Sequence, residues 1–413
     1  MTTSVGSGRG ARRPTTNRRA TTAANTTARR SSATRGTTAK RSSGLKKPTL
    51  AGQRNAGILT VAFLSLTLFG LVMVLSASQV TSLYDSESPY SLFQRQAMWA
   101  GIGAVAFVTA SRIDYRWLQR LAVPFLVLTV ILLIAVLIPG VGRRINGSSR
   151  WLGVGPFVVQ PGEFAKLAVV LFTADLLSRR SKQMHRPDIT IKPVMLIVGG
   201  MSGLLLLQPK LGTTIVIAAV GIMMLFVAGA RLPHLFAWTL AGTVIATIAA
   251  FGSDYRRARL LSFIDPWADP LGNGLQTIQS QIGIASGGWL GVGLGAGRAK
   301  WGFLPYAHSD FIFAIVAEEV GLLGAGALVL AFGLVGYLGI RAALNAPDRF
   351  GMLMAAGLTC WLLVQAFMNI AMSIGLMPIT GEPLPFVSAG GSSLVTTLAA
   401  AGVLTNIAKR SKA

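Results

Sequence analysis

The chain has 413 residues, of which 52% are hydrophobic and only 13% charged, with a net charge of +24. A soluble domain carries about 25% charged residues, so this composition excludes an ordinary soluble fold. One cysteine, Cys360, excludes an intramolecular disulfide, and three histidines without a Cys/His cluster argue against structural zinc.

Residues 1–55 hold thirteen Lys/Arg and no acid in a Thr/Ala/Ser/Arg background. This segment lacks apolar periodicity and is expected to be a disordered cytoplasmic arm. It suits anionic lipid or a cytoplasmic partner, and no nucleic-acid partner is expected. It is not a secretory signal, because the first apolar run starts near Gly57.

From there to residue 408 the chain reads as an all-α polytopic membrane domain. Ten helices are expected near 57–79, 96–110, 121–138, 162–178, 192–207, 212–229, 234–251, 311–335, 352–377 and 386–408. The second and fifth look short. Residues 409–413 form a short cytoplasmic C-terminus. With both termini inside, 27 of the 38 bases fall on the cytoplasmic side, as the positive-inside rule requires. Lys166 lies within the fourth helix.

The remaining bases fall outside. Apart from Arg95, they are Arg143, Arg144 and Arg150; Lys210; and Arg256, Arg257, Arg259, Arg298 and Lys300. Basic residues there oppose the orientation signal, which points to an anionic, phosphorylated ligand at the outer surface. Solvated loop charge is the alternative.

The first outer loop of interest, 139–161, contains Arg150 and Trp151 and leads into Glu163 and Lys166. An i,i+3 spacing lets these two pair on one helix face, as a structural pair or as part of a ligand site. The longest extramembrane segment, 252–309, carries Arg259, the polar Gln279 and Ser280, and a glycine-rich run from Gly287 to Gly297. A loose dinucleotide fingerprint within that run lacks a surrounding βαβ unit and is discounted. Glycine there lets backbone approach a ligand closely or re-enter the membrane edge. The last outer loop, 375–386, is followed by Ser388 and Ser392 in a small-residue segment that could accept phosphate or simply cap and pack.

Asp310 is the most informative residue. It lies where the polar segment 301–309, with His308, meets a long apolar helix that also carries Glu318 and Glu319. A carboxylate at the mouth of such a helix is a functional candidate: a catalytic group, part of an ion path, or an anchor.

Taken in order, NGSSRW (146–151), QPGEFAK (160–166), QPKLGT (208–213), FIDPWADP (263–270), QSQIGIASGGWLGVGLG (279–295), LPYAHSDFIFAIVAEEVG (304–321), QAFMNI (365–370) and TGEPLPFVSAGGSS (380–393) resemble the SEDS family of membrane glycosyltransferases, which includes FtsW, RodA and SpoVE. The resemblance covers about 57–408. The SAGG wording and the basic tail look more like actinobacterial FtsW than RodA. Three positions depart from the family pattern. Lys210 replaces a usual acid, Tyr306 replaces a frequent Glu, and Glu382 stands where an apolar residue is usual.

The resemblance implies polymerisation of lipid II, the undecaprenyl-pyrophosphate-linked disaccharide-pentapeptide, at the outer face of the plasma membrane during septal wall synthesis. It implies a class B penicillin-binding protein and other divisome proteins as partners. The family's catalytic acid maps onto Asp310. A sugar hydroxyl attacking an anomeric carbon needs a general base. Pyrophosphate already leaves well, so its charge needs stabilising and a second, proton-donating carboxyl is not required. Arg150, Arg259, Lys300 and Lys210 are the expected pyrophosphate ligands, and a divalent cation, magnesium or manganese, could assist; no organic cofactor is expected. Trp151, Gln279, Ser280, His308, Ser388 and Ser392 are further substrate-binding candidates. Glu163 and Lys166 would shape the cavity beneath. Glu318 and Glu319 are expected to be structural, packed against Asn369, Gln365 or outer-loop groups. The competing classes are a lipid II flippase and a non-catalytic scaffold that activates a partner synthase.

Overall fold

Apolar runs bounded by proline, glycine and arginine fold as helices along the chain. The computed structural model describes residues 49–86, 88–145, 148–154, 157–184, 186–252 and 254–412; the reading of the basic tail falls outside them except for 49–55. The long helices are α1 (Leu50–Ser86), α2 (Ser91–Arg112), α3 (Leu118–Leu137), α4 (Pro161–Arg179), α5 (Pro187–Leu207), α6 (Leu211–Ala228) and α7 (Leu232–Phe251). After two shorter helices, α8 (Asp254–Ile264) and α9 (Leu275–Ser286), come α10 (Ile312–Leu344), α11 (Arg349–Ser373) and α12 (Gly391–Lys409). Proline opens α4 and α5, where its missing N–H has no intrahelical role, and Gly229 closes α6 in the left-handed region. Asp348 caps α11 by accepting from the Gly351 amide.

Each expected helix has a counterpart, with shifted edges. The second and fifth are not short: α2 has 22 residues and α5 has 21. The last begins at Gly391 rather than 386, because residues 384–390 are held in turns. Among the described residues, seven helices are long and apolar enough to cross a membrane. The three others are α2, α4 and α7. Helix α4 carries Glu163, Lys166, Asp175 and Arg179, and the apolar part of α7 is short.

Helices α11 and α12 lie at the centre. Helix α11 packs against α4, α6, α10 and α12, while α2 lies along α12. Small residues permit this approach: a Cβ on Gly402 would sit 2.5 Å from the Phe107 carbonyl oxygen. Large apolar side chains stay exposed around the periphery, as Val61, Leu68, Val127, Ile131, Ile245 and Leu330 show, which suits a lipid-facing rim.

At one end of the bundle the basic residues assigned to the inner side find partners. Arg116 binds Asp348 at 2.9 Å, Arg410 lies 3.4 Å from Asp114, and Arg349 donates to the Ala228 carbonyl at 2.7 Å. The starts of α4, α6, α10 and α12 and the end of α11 gather at the opposite end.

That end holds structure absent from the sequence reading. Loop 139–161 contains three antiparallel strands, β1 (Arg143–Ile145), β2 (Ser148–Val154) and β3 (Phe157–Val159). Helices α8 and α9 interrupt the segment read as one long loop. The glycine run crosses a break in α10, where Gly321 takes φ 75° and ψ −175°. Val292 and Gly293 amides donate to the Glu318 and Glu319 carbonyls at 3.0 and 3.1 Å. The Leu322 and Leu323 amides donate back to Gly288 and Trp289 at 2.9 and 3.2 Å. The run thus satisfies backbone groups that the break releases. A Cβ on Gly321 would sit 2.3 Å from the Gly291 nitrogen. Gly321→Ala should therefore cost about 2 kcal/mol or more, read as a clearly lowered melting temperature in detergent; an unchanged melting temperature would contradict the stitched break.

Candidate functional site

Asp310 is set by a turn, by α11 and by the last outer loop. The amides of Ser309 and Asp310 both donate to the Tyr306 carbonyl at 3.1 Å, closing a turn in which Tyr306 adopts φ 60°. The Asn369 side chain of α11 donates at 2.8 Å to the Asp310 carbonyl and at 2.8 Å to the Glu382 carbonyl, joining the turn to the loop. Ala389 adds a bond from its amide to the His308 carbonyl at 2.9 Å. These contacts fix the Asp310 backbone; the residue as a whole is half-buried, and its carboxylate lies against Gly381 of the loop.

Gly381 forms the facing wall. At φ 67° it occupies the left-handed region, and a Cβ there would lie 3.6 Å from Asp310 Oδ2 and 4.0 Å from an Arg259 guanidinium nitrogen. Arg259, on α8, also donates to the Ile379 carbonyl at 3.1 Å. Carboxylate and guanidinium therefore flank one stretch of backbone. Burial pushes the Asp310 carboxyl above its usual range; Arg259 and, less strongly, Lys210 pull it down, while Glu382 adds to the rise.

Beneath lies a buried chain of four charges. Lys210, at the start of α6, reaches Glu163 at 3.4 Å, Glu163 binds Lys166 at 2.8 Å, and Lys166 reaches Glu382 at 3.2 Å. All four are almost fully enclosed. Thr213 donates to the other oxygen of Glu382. Lys166 also donates to Gln365 at 2.8 Å and lies 5.6 Å from the Trp361 ring centre. Gln365 in turn holds the Pro383 carbonyl at 2.8 Å. The expected Glu163–Lys166 pair is present, and two residues that depart from the family pattern extend it: Lys210, an expected pyrophosphate ligand, and Glu382.

Other expected ligands lie elsewhere. The Lys300 ammonium is buried against Glu319 at 2.8 Å and Ser76 at 3.0 Å, so it is committed to a helix contact and not to Asp310. Lys210 is turned inward onto Glu163. Arg150 donates to the carbonyls of Gln208 and Pro209 at 2.8 and 3.0 Å, bracing the turn that opens α6. Ser280 donates to the Ser373 carbonyl, Ser388 accepts from the Leu384 amide and Ser392 accepts from the Gln160 amide. These hydroxyls hold backbone together. Trp151 lies on β2 and Gln279 on α9, both partly exposed. Glu318 and Glu319 take outer-loop partners, Glu318 from the amides of Arg298 and Ala299 and Glu319 from the Gly295 amide and Lys300. Asn369 and Gln365 instead serve the Asp310 and Lys166 layers.

The donor set is a poor match for a divalent ion. Among the described residues no three His, Cys, Asp or Glu side chains gather as metal ligands. Glu382 is committed to Lys166 and Thr213, which leaves Asp310 beside a guanidinium. The arrangement can accept a proton at Asp310 and hold an anion at Arg259.

Residues 57–413 match the family of cell cycle proteins grouped as FtsW, RodA and SpoVE. The stage V sporulation protein E of Bacillus subtilis is 40% identical over 355 residues, covering 86% of this chain and 97% of that one. The probable peptidoglycan glycosyltransferase FtsW of Mycobacterium tuberculosis is 41% identical over 355 residues, covering 85% of this chain and 67% of that one. Among solved structures, a chain of a peptidoglycan synthase complex that coordinates polymerization and crosslinking superposes with a TM-score of 0.69 at 32% identity, covering 85% and 96% of the two chains. The rod shape determining protein RodA of Thermus thermophilus gives 0.63 at 29% identity, covering 86% and 97%.

Proposed function

The chain belongs to the FtsW, RodA and SpoVE family of cell cycle proteins, and from that premise we propose that it is a peptidoglycan glycosyltransferase that polymerises lipid II at the outer membrane surface. It is a multi-pass membrane protein, and its relatives carry the name of that activity. The observation that carries the reading is the convergence of the Asp310 carboxylate and the Arg259 guanidinium on the backbone at Gly381.

In the proposed reaction a sugar hydroxyl of one chain attacks the anomeric carbon of another. The new glycosidic bond forms as the bond to pyrophosphate breaks, and the hydroxyl proton passes to Asp310. A carboxyl whose proton affinity is raised by burial is a better base than an exposed one. Arg259 meets the charge that develops on the leaving pyrophosphate. The donor set gives no reason to route a step through a protein-held metal. A class B penicillin-binding protein at the division septum is the proposed partner, on the precedent of the structurally similar chain from a synthase complex.

The deciding experiment uses the purified full-length chain, with and without its cognate transpeptidase, and labelled lipid II. Glycan strands are the expected product. Equilibration of lipid II across liposomes with no polymer under either condition would favour transport. Polymer only when the transpeptidase is present, and unaffected by substitution of Asp310, would favour a scaffold.

A further inference from the structure

The four buried charges are arranged as a line. Glu163 and Lys166, adjacent on α4, are its interior, and Lys210 and Glu382 are its ends. Two acids face two bases, so the line is neutral. Among the described residues each end has one ionic partner. Glu382 directly follows Gly381, where a Cβ would lie 3.6 Å from the Asp310 carboxylate, and Lys210 carries the opposite charge at the other end. Glu382 is also bound mechanically to the site. Its carbonyl shares the Asn369 donor with Asp310, and the residue before it, Gly381, forms the wall against the carboxylate.

We propose that Lys210 and Glu382 act as a matched pair of positioning residues that set the electrostatic field at Asp310. Neither touches the reacting atoms. The pair rests on the reading of Asp310 as the base. The charged groups around Asp310 are Arg259 from α8, Lys210 from the start of α6 and Glu382 from the last outer loop; His308 lies on its own segment, α11 offers the neutral Asn369 and Gln365, and α4 contributes Glu163 and Lys166 behind the ends. Arg259 flanks the carboxylate from the side of Gly381 and the Ile379 carbonyl, while beneath it the balance is carried by the two ends. Inside a protein such charges are weakly screened, and losing one end leaves the other uncancelled.

The sign of each effect follows. A general base works when deprotonated, so kcat/KM rises with pH through the acid limb. Removing the negative end with Glu382→Gln favours the Asp310 carboxylate and moves the limb to lower pH. Removing the positive end with Lys210→Met favours the protonated form and moves it to higher pH. The double variant should return the limb close to the wild-type position.

The test measures lipid II polymerisation by the purified full-length protein against pH for wild type, both single variants and the double. At the pH where wild type is at half its plateau, Lys210→Met should fall roughly fivefold relative to its own plateau and Glu382→Gln should rise nearly twofold. A merely structural role would lower plateaus without moving limbs. Unmoved limbs, limbs moving in one direction, or a double variant that stays displaced would each overturn the pairing. If the single variants are too unstable to assay, melting temperatures decide. A double variant more stable than its worse parent supports the pair, and additive losses overturn it. An active Asp310→Asn protein would overturn both this and the underlying reading, whereas an inactive one with unmoved limbs overturns the pairing alone.

Discussion

Asp310→Asn protein should fold and lose lipid II polymerisation by about 10²- to 10⁴-fold in kcat/KM. Asparagine preserves the shape of the side chain while removing its charge and its ability to take a proton. The backbone is held by Asn369 and by the turn at Tyr306, neither of which involves the carboxylate. The carboxyl is pushed up by burial, so a neutral amide relieves a desolvation cost. The melting temperature should therefore stay level or rise while activity disappears. That opposite movement separates a catalytic group from an anchor. A polymerisation rate near wild type would remove Asp310 from the mechanism, and a lost rate with a lowered melting temperature would favour an anchor.

The features that were legible in the sequence are those with local signals. Apolar runs bounded by proline and glycine gave the long helices, and the i,i+3 spacing of Glu163 and Lys166 gave a pair observed at 2.8 Å. Asp310 stood out because an acid at the mouth of an apolar helix is costly. Partners distant in sequence carry no such signal. Glu382 meets Lys166 across 216 positions, and nothing near TGEPLP indicates which cation it will find. Lys300 reads as a pyrophosphate ligand because it belongs to a cluster of bases on the outer side, yet Glu319 and Ser76 enclose it. The glycine run did signal close approach of backbone. Its partner, the break at Gly321, could not be read because an isolated glycine in an apolar helix is common. The strands β1 to β3 are only three to seven residues long, too short to impose a period.

The largest expected loss of stability follows from the middle of the buried line. Lys166→Met replaces a cation with an apolar chain of similar length, so the cavity stays filled and the effect is electrostatic. Lys166 serves Glu163 at 2.8 Å, Glu382 at 3.2 Å and Gln365 at 2.8 Å. Without it Glu163 keeps the longer contact to Lys210 and a hydrogen bond with Ser393, and Glu382 keeps Thr213. Two enclosed acids then share one cation. Breaking a buried pair by removing one partner costs about 3–5 kcal/mol, because a charge is left uncompensated. The loss should be visible as a large drop in melting temperature and in the yield of folded protein. Adding Glu382→Gln should recover part of it, since that change removes the acid left without a cation. A Lys166→Met protein within about 1 kcal/mol of wild type would mean that the acids take up protons on folding at little cost. In that event the line would not be ionised as drawn, and the opposed pH shifts expected for Lys210 and Glu382 would vanish with it.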